Sequence, residues 1–384
     1  MNQLSPGPDE ATDSGRKDFS IGLFGANCSG GLAITTVEER WDASWANNLA
    51  LAELAERGGL DFMLPIARWL GFGGQKDFQR QVLETISWAT GLLASTRRIQ
   101  TFATVHTGFI HPIVAAKQLA TADHIGGGRA GLNIVAGWNK PEYEMFGIEL
   151  PADHDDRYAY AQEWFDVVAR IWKESTPTDF TGRFFDLKGL LGDPNPFGSR
   201  ERLPIISAGG SPQGQSFATR NADMLFTVLA DPAKDAAKIA DVKAQAARVG
   251  RLQLKVFTPA YVVCRPNDRE AEEYHHHYAV ACVDEGALER NMALSVAHTK
   301  TIAPEVLQQM RTRMAGGHGG LPLVGSPATV AGQIQQLRDI GVDGIALSFV
   351  DYLTELPYFL EEVMPRLAVA GLRGPELSST SSNA

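Results

Sequence analysis

The sequence predicts a (β/α)8 TIM barrel, an α/β fold, and three observations carry that expectation. Eight short apolar runs rich in β-branched or aromatic residues recur at 19–24, 62–66, 99–105, 130–135, 204–208, 224–228, 254–263 and 344–349. Most are continuous rather than alternating, as strands buried on both faces of a parallel sheet must be. Between them, apolar residues fall at three- and four-residue spacing, the period of an amphipathic helix. Alternating strands and helices give a parallel sheet, and eight units close it into a barrel. An open doubly wound sheet would want an early G-x-G-x-x-G, and Gly22, Gly25, Gly30 and Gly31 have the wrong spacing for it.

The helical pattern covers residues 41–57, 82–93, 112–122, 157–172, 213–221 and 329–340. Pro112 sits where a first-turn proline is tolerated, and Ser326-Pro327 with Thr329 reads as a helix start. Two segments exceed a minimal barrel. Residues 175–192 carry aromatic runs around Thr181-Gly182, a hairpin signal. Residues 283–324 form a long insertion ending in Gly316-Gly317-His318-Gly319-Gly320. Such a cluster permits chain motion, so a lid over the barrel mouth and a plain exposed loop are both open readings. The expected organisation is a disordered polar arm at 1–17 that is no signal peptide, one barrel domain at 18–370, and a disordered tail at 371–384.

Composition narrows the function classes. With 384 residues and 44% apolar content the chain can bury one large core. A net charge of −10 argues against a nucleic-acid partner, which clustered Lys and Arg would have to hold. No run approaches the roughly 18 apolar residues of a membrane span. Cys28, Cys264 and Cys282 are dispersed and odd in number, which suggests no disulfide framework and fits a cytoplasmic protein. His275-His276-His277 are adjacent on a predicted helix, so they point around it rather than converging on a metal.

Barrel active sites form at the C-terminal ends of the strands. Gly209-Gly210-Ser211 follows one strand and precedes a helix, where backbone N–H groups can cradle a phosphate. Arg157 and Tyr158 at another helix start could serve the same anion. Asn133, Thr104 and Thr107 form the strongest polar cluster, on adjacent strand ends. Each has a plainer reading: Gly-Gly-Ser as a connector, Arg157 as a surface partner of Asp155 and Asp156, Trp138 as packing. Cys28 suits a pocket wall, with no neighbouring pattern that makes it a nucleophile. On residues alone the site is that of a phosphate-bearing ligand in a barrel.

The segment Gly128-Arg129-Ala130-Gly131-Leu132-Asn133-Ile134-Val135-Ala136-Gly137-Trp138-Asn139-Lys140-Pro141-Glu142-Tyr143 resembles the signature of the bacterial-luciferase-like flavin monooxygenases. The likeness continues through Leu70-Gly71-Phe72-Gly73-Gly74, Arg157-Tyr158, Ala208-Gly209-Gly210-Ser211 and Gly325-Ser326-Pro327, from about residue 19 to 367. The Lys140-Pro141-Glu142-Tyr143 continuation is similar to the members that open pyrimidine rings, such as uracil. The first-strand loop Ala26-Asn27-Cys28-Ser29-Gly30-Gly31 looks more like the sulfone-oxidising ones, a group near the alkanesulfonate monooxygenases.

The resemblance implies a site for reduced FMN and O2. Ala67 and Arg68 would border the ring, Asn133 and Glu142 its polar edge or ribityl chain, and Arg157, Tyr158, Gly210 and Ser211 the phosphate. Asn133 and Thr104 match the family's pair at the oxygen pocket and are the expected catalytic residues. Cys28, Arg68, His106 and Trp138 would line the substrate pocket, and no metal is expected. Arg68 stands where the pyrimidine members have Lys, and His106 where they have a small apolar residue, so the substrate is read as a small polar heterocycle, amide-like compound or organosulfur compound. A separate NAD(P)H:flavin reductase and a homodimer or homotetramer are also implied. The alternatives are a deazaflavin-dependent oxidoreductase and a flavin-binding barrel without turnover.

Overall fold

The apolar runs form strands, which in chain order are β1 (Ser20–Phe24), β2 (Phe62–Leu64), β3 (Gln100–His106), β4 (Ala130–Val135), β5 (Thr178–Thr181), β6 (Asp186–Leu190), β7 (Ile205–Ala208), β8 (Met224–Phe226), β9 (Lys255–Cys264), β10 (Leu321–Gly325) and β11 (Gly344–Ser348). The structure is a computed structural model that describes residues 19–296 and 304–373. The expected arm at 1–17 lies outside the described residues, as does the tail from 374 onward.

Eight strands pair in parallel in the order β1-β2-β3-β4-β7-β8-β9-β11, and β11 returns to β1. The barrel is closed, and all eight expected runs supply its staves. β5 and β6 make the antiparallel hairpin expected between 175 and 192. β10 was not foreseen. It pairs with Ala260–Cys264 of β9, beyond the point where β8 has stopped.

The insertion is therefore not one long loop. It holds helices Glu285–Val296 and Pro304–Gly317 as well as β10. Its glycines serve close packing: a Cβ on Gly317 would come within 2.5 Å of the Tyr261 side chain. The six expected helices are present within about a turn, at Trp45–Arg57, Thr85–Ser95, Pro112–Ile125, His154–Lys173, Pro212–Asn221 and Pro327–Asp339. Ser326 caps the last of these by accepting from Thr329 N–H, as its sequence suggests.

Phe62, Phe102, Phe226 and Phe257 fill the barrel interior with Ile206, Met224 and Ala346. Phe62 lies edge-on to Phe102 with centroids 6.0 Å apart and stacks on Phe257 at 5.5 Å. These rings fit because glycine faces them: a Cβ on Gly131 would sit 2.3 Å from the Phe102 ring. Gly131→Ala should therefore destabilise the protein by about 1–3 kcal/mol in urea unfolding. Gly332, in helix Pro327–Asp339 with nothing within 4 Å of its missing Cβ, is the control. Gly332→Ala should be neutral or stabilising by up to about 1 kcal/mol, and equal losses in both variants would refute the packing account.

Candidate active site

Parallel register places Thr104 of β3 opposite Asn133 of β4. Asn133 Nδ2 donates to Thr104 Oγ1 at 3.1 Å, and the Thr104 hydroxyl donates to the Pro65 carbonyl at 2.5 Å. A hydroxyl has one proton, so the direction of this chain is fixed. Asn133 Oδ1 is left buried without a partner. Leaving such an acceptor unpaired costs about 1–3 kcal/mol.

Around this pair opens a cavity of about 470 Å3. Phe24, Ile66, Val135 and Phe226 give it apolar walls, and Ala67 lies on its rim beside Arg68. Arg68 is buried, with its guanidinium 4.6 Å from the Phe72 ring centroid and 5.1 Å from that of Trp138. Its Nε donates to Gln79 Oε1 at 3.3 Å, while Nη1 has no hydrogen-bond partner. Trp138 reaches this position because Gly137 takes φ +111°, and a Cβ there would strike the Tyr143 hydroxyl.

The structure places Glu142 elsewhere than on a flavin edge. It is fully buried behind Arg68, not among the residues lining the cavity. Its Oε1 accepts from Trp69 N–H at 2.8 Å and Leu70 N–H at 3.2 Å and lies 3.7 Å from Arg68 Nη1. Its Oε2 is 3.9 Å from His106 Nδ1. Burial and the Arg68 cation hold His106 neutral, its pKa pushed down to about 3. His106 lines the cavity together with Arg68 and Thr104.

At the far end lie Gly209, Gly210, Ser211, Tyr158 and His154. Ser211 caps helix Pro212–Asn221, accepting from Gly214 N–H at 3.1 Å. Gly210 leaves open space where a side chain would stand, and the Tyr158 ring sits so close to Gly214 that a Cβ there would meet its hydroxyl at 2.6 Å. Two expected residues are not brought here. Arg157 spends its guanidinium on the backbone carbonyls of Pro151 and Ala152, at 2.5 and 3.3 Å. Cys28 is buried behind the wall in a cluster with Leu32 and Ile66, and burial pushes its thiol pKa up to about 12.

Sequence reasoning missed His318 and His154. His318 precedes β10 at φ +52° and lines the cavity, 3.3 Å from the Asn291 amide nitrogen through Nδ1. Burial and Arg68 push its pKa down to about 3 as well. A lone histidine inside a glycine run gives little signal, whereas His154 stood one turn before Arg157 on the same helix. His275 bonds Tyr261 through Nε2, and among the described residues no group of three or more His, Cys, Asp or Glu is arranged to hold a metal.

The sequence profile described as luciferase-like monooxygenase matches residues 21–344. The chain belongs to the luciferase-like monooxygenases. A relative named pyrimidine monooxygenase RutA, from Cronobacter turicensis, is 32% identical over 354 residues, 90% of this chain and 92% of that protein. Long-chain alkane monooxygenase LadA shares the fold at a TM-score of 0.83 and 21% identity, over 94% of this chain and 93% of that one. Riboflavin lyase RcaE, solved with modified FMN and riboflavin, gives 0.82 and 21% over 93% of each. Like the family, this chain is a flavin-dependent monooxygenase, and its barrel mouth is where that chemistry belongs.

His106 and His318 are neutral when folded, against an ordinary pKa of about 6.5 when unfolded. The unfolded chain thus binds more protons between those values, and stability must fall as pH drops from about 6.5 toward about 3. Urea unfolding at pH 7 and pH 5 should show this loss, and His318→Asn should lessen it. A pH dependence identical in the variant would refute the assignment to His318.

Proposed function

We propose that this chain is the oxygenase of a two-component system, taking FMN reduced by a separate NAD(P)H:flavin reductase and using O2 to oxygenate a small polar heterocycle, amide-like compound or organosulfur compound. The observation that carries the reading is the directed chain from Asn133 through Thr104 to Pro65, which leaves Asn133 Oδ1 unpartnered at the cavity wall. The residues present suit FMN. A flat ring fits between the apolar walls with Ala67 and Arg68 at its edge, and Gly210, Ser211, Tyr158 and His154 suit a phosphate. When bound, reduced FMN supplies the electrons that activate O2.

The chain's own residues orient and shield. Asn133 and Thr104 hold polar contacts where charge develops, and the aromatic walls exclude water. Arg68, His106 and Trp138 face the substrate. Electrons come from outside, since no G-x-G-x-x-G follows β1 to bind a nicotinamide. The name pyrimidine monooxygenase on a relative 32% identical supports the heterocycle among the substrate classes. Trp69 and Phe146, in ring contact at 5.1 Å, are exposed beside Leu70, Met145 and Ile148. That apolar patch supports a homodimer or homotetramer, and three free cysteines support a cytoplasmic setting.

Flavin fluorescence titration should show FMN binding, weakened in Tyr158→Phe. Binding of the deazaflavin coenzyme in place of FMN would overturn the reading. Asn133→Ala should keep FMN affinity within a few-fold but lower substrate-dependent oxygen incorporation by about 10²-fold. The check is oxygen uptake with photoreduced FMN across heterocycles, amides and sulfones. Full activity in the variant would remove Asn133 from the reaction, and no product with any substrate would favour a flavin-binding protein without turnover.

A further inference from the structure

We infer that Arg68 and His106 form a donor–acceptor pair that reads the adjacent C=O and N–H of an amide, lactam or imide, with Glu142 setting the direction of the His106 ring. This rests on the cavity being the substrate site of the oxygenase proposed above, and it selects among the substrate classes named there.

The donor is Arg68. Its guanidinium lies close to both the Phe72 and Trp138 rings and is tied through Nε to Gln79, so it cannot swing away. Its one carboxylate neighbour, Glu142, stands 3.7 Å from Nη1, outside hydrogen-bond distance. The guanidinium therefore enters the cavity wall with donors to spare and can accept nothing.

The acceptor is His106. A carboxylate only accepts, and Glu142 Oε2, itself buried and unpartnered, faces His106 Nδ1 at 3.9 Å. No hydrogen bond spans that gap, but the field of the carboxylate favours the proton of the neutral ring on Nδ1, the nitrogen that faces it. Nε2 is left as a lone-pair acceptor on the ring that lines the cavity. Glu142 cannot turn to change this, because Trp69 and Leu70 N–H fix its Oε1.

A cation that only donates stands beside a ring nitrogen that only accepts. The C(=O)–N–H edge of an amide satisfies both. A sulfone offers oxygens alone and would set a lone pair against His106 Nε2. Charge adds to the discrimination: Arg68 and Glu142 already cancel, so a sulfonate would bring uncompensated negative charge beside Glu142.

The test is calorimetric binding to the FMN-loaded full chain of three probes: uracil, its N,N′-dimethyl derivative, and the cyclic sulfone sulfolane. Wild type should bind uracil at least ~10-fold tighter than the dimethyl compound, because the unpaired acceptor penalises the analogue that lacks N–H. His106→Phe should bring that ratio near one with sulfolane affinity unchanged.

Glu142→Gln is the sharper arm. Its amide oxygen is held by the Trp69 and Leu70 N–H groups, so its NH2 faces His106 Nδ1 and moves the ring proton to Nε2. Preference should then shift from uracil toward sulfolane. Thermal unfolding confirms that each variant is folded. A wild-type ratio near one overturns the inference, as does a ratio unchanged in both folded variants. Selective uracil binding without oxygen uptake would sink the oxygenase reading and keep this one; oxygen uptake with sulfolane bound tightest would do the reverse.

Discussion

Glu142 is a carboxylate without solvent contact, and the barrel mouth is organised around the partners that hold it. Burying such a group costs several kcal/mol unless partners return the lost hydration. Here two backbone N–H groups and the Arg68 guanidinium do so, and all three come from the segment after β2. The short helix Lys140–Met145 that carries Glu142 follows β4. One side chain thus ties two loops of the mouth together across the end of β3. Arg68 is held in return, and with it the Phe72 and Trp138 rings that lie against it. Removing one member would leave the other as an unpaired buried charge, a loss of about 3–5 kcal/mol at sites of this kind.

The scaffold makes a second demand on the same cavity. β9 is ten residues long and outlasts β8, which pairs only with its first three residues. The free edge above that point would expose unpaired backbone groups, and β10 covers it. The turn that delivers β10 carries His318 at positive φ, a conformation that costs a non-glycine residue of order 1–3 kcal/mol. The surrounding glycines allow that turn to press against Tyr261. Closing the barrel edge and furnishing the cavity wall are therefore one structural event.

This division explains what could be read from the sequence. All eight staves were legible because doubly buried parallel strands leave unbroken apolar runs. β10 was not: Leu321-Pro322-Leu323-Val324-Gly325 is short and carries a proline, which reads as loop rather than strand. Helix Pro232–Arg248 was passed over because its apolar face is mostly alanine, a weak periodic signal. At the site, Asn133 and Thr104 were legible because equal positions on neighbouring strands bring them level. The fates of Arg157 and Glu142 were not, since a charged residue near a strand end can point to the cavity or to nearby backbone. Only packing decides which, as the Pro151 carbonyl decides for Arg157.

The cavity that results is polar yet close to electrically neutral. Arg68 and Glu142 offset one another, and burial keeps His106 and His318 uncharged well below neutral pH. Net charge therefore gives little selectivity inside, although the chain as a whole carries −10. What remains to discriminate ligands is the direction of hydrogen bonds, and that direction is fixed by the partner that each polar group holds. Pro65 orients Thr104, and Thr104 orients Asn133. Trp69 and Leu70 orient Glu142, which in turn faces His106. A site of this kind rejects a wrong ligand by leaving its own buried atoms unpaired, a stronger penalty than a poor apolar fit. A substitution at Glu142, which is not among the lining residues, can therefore alter what the cavity accepts without touching its walls.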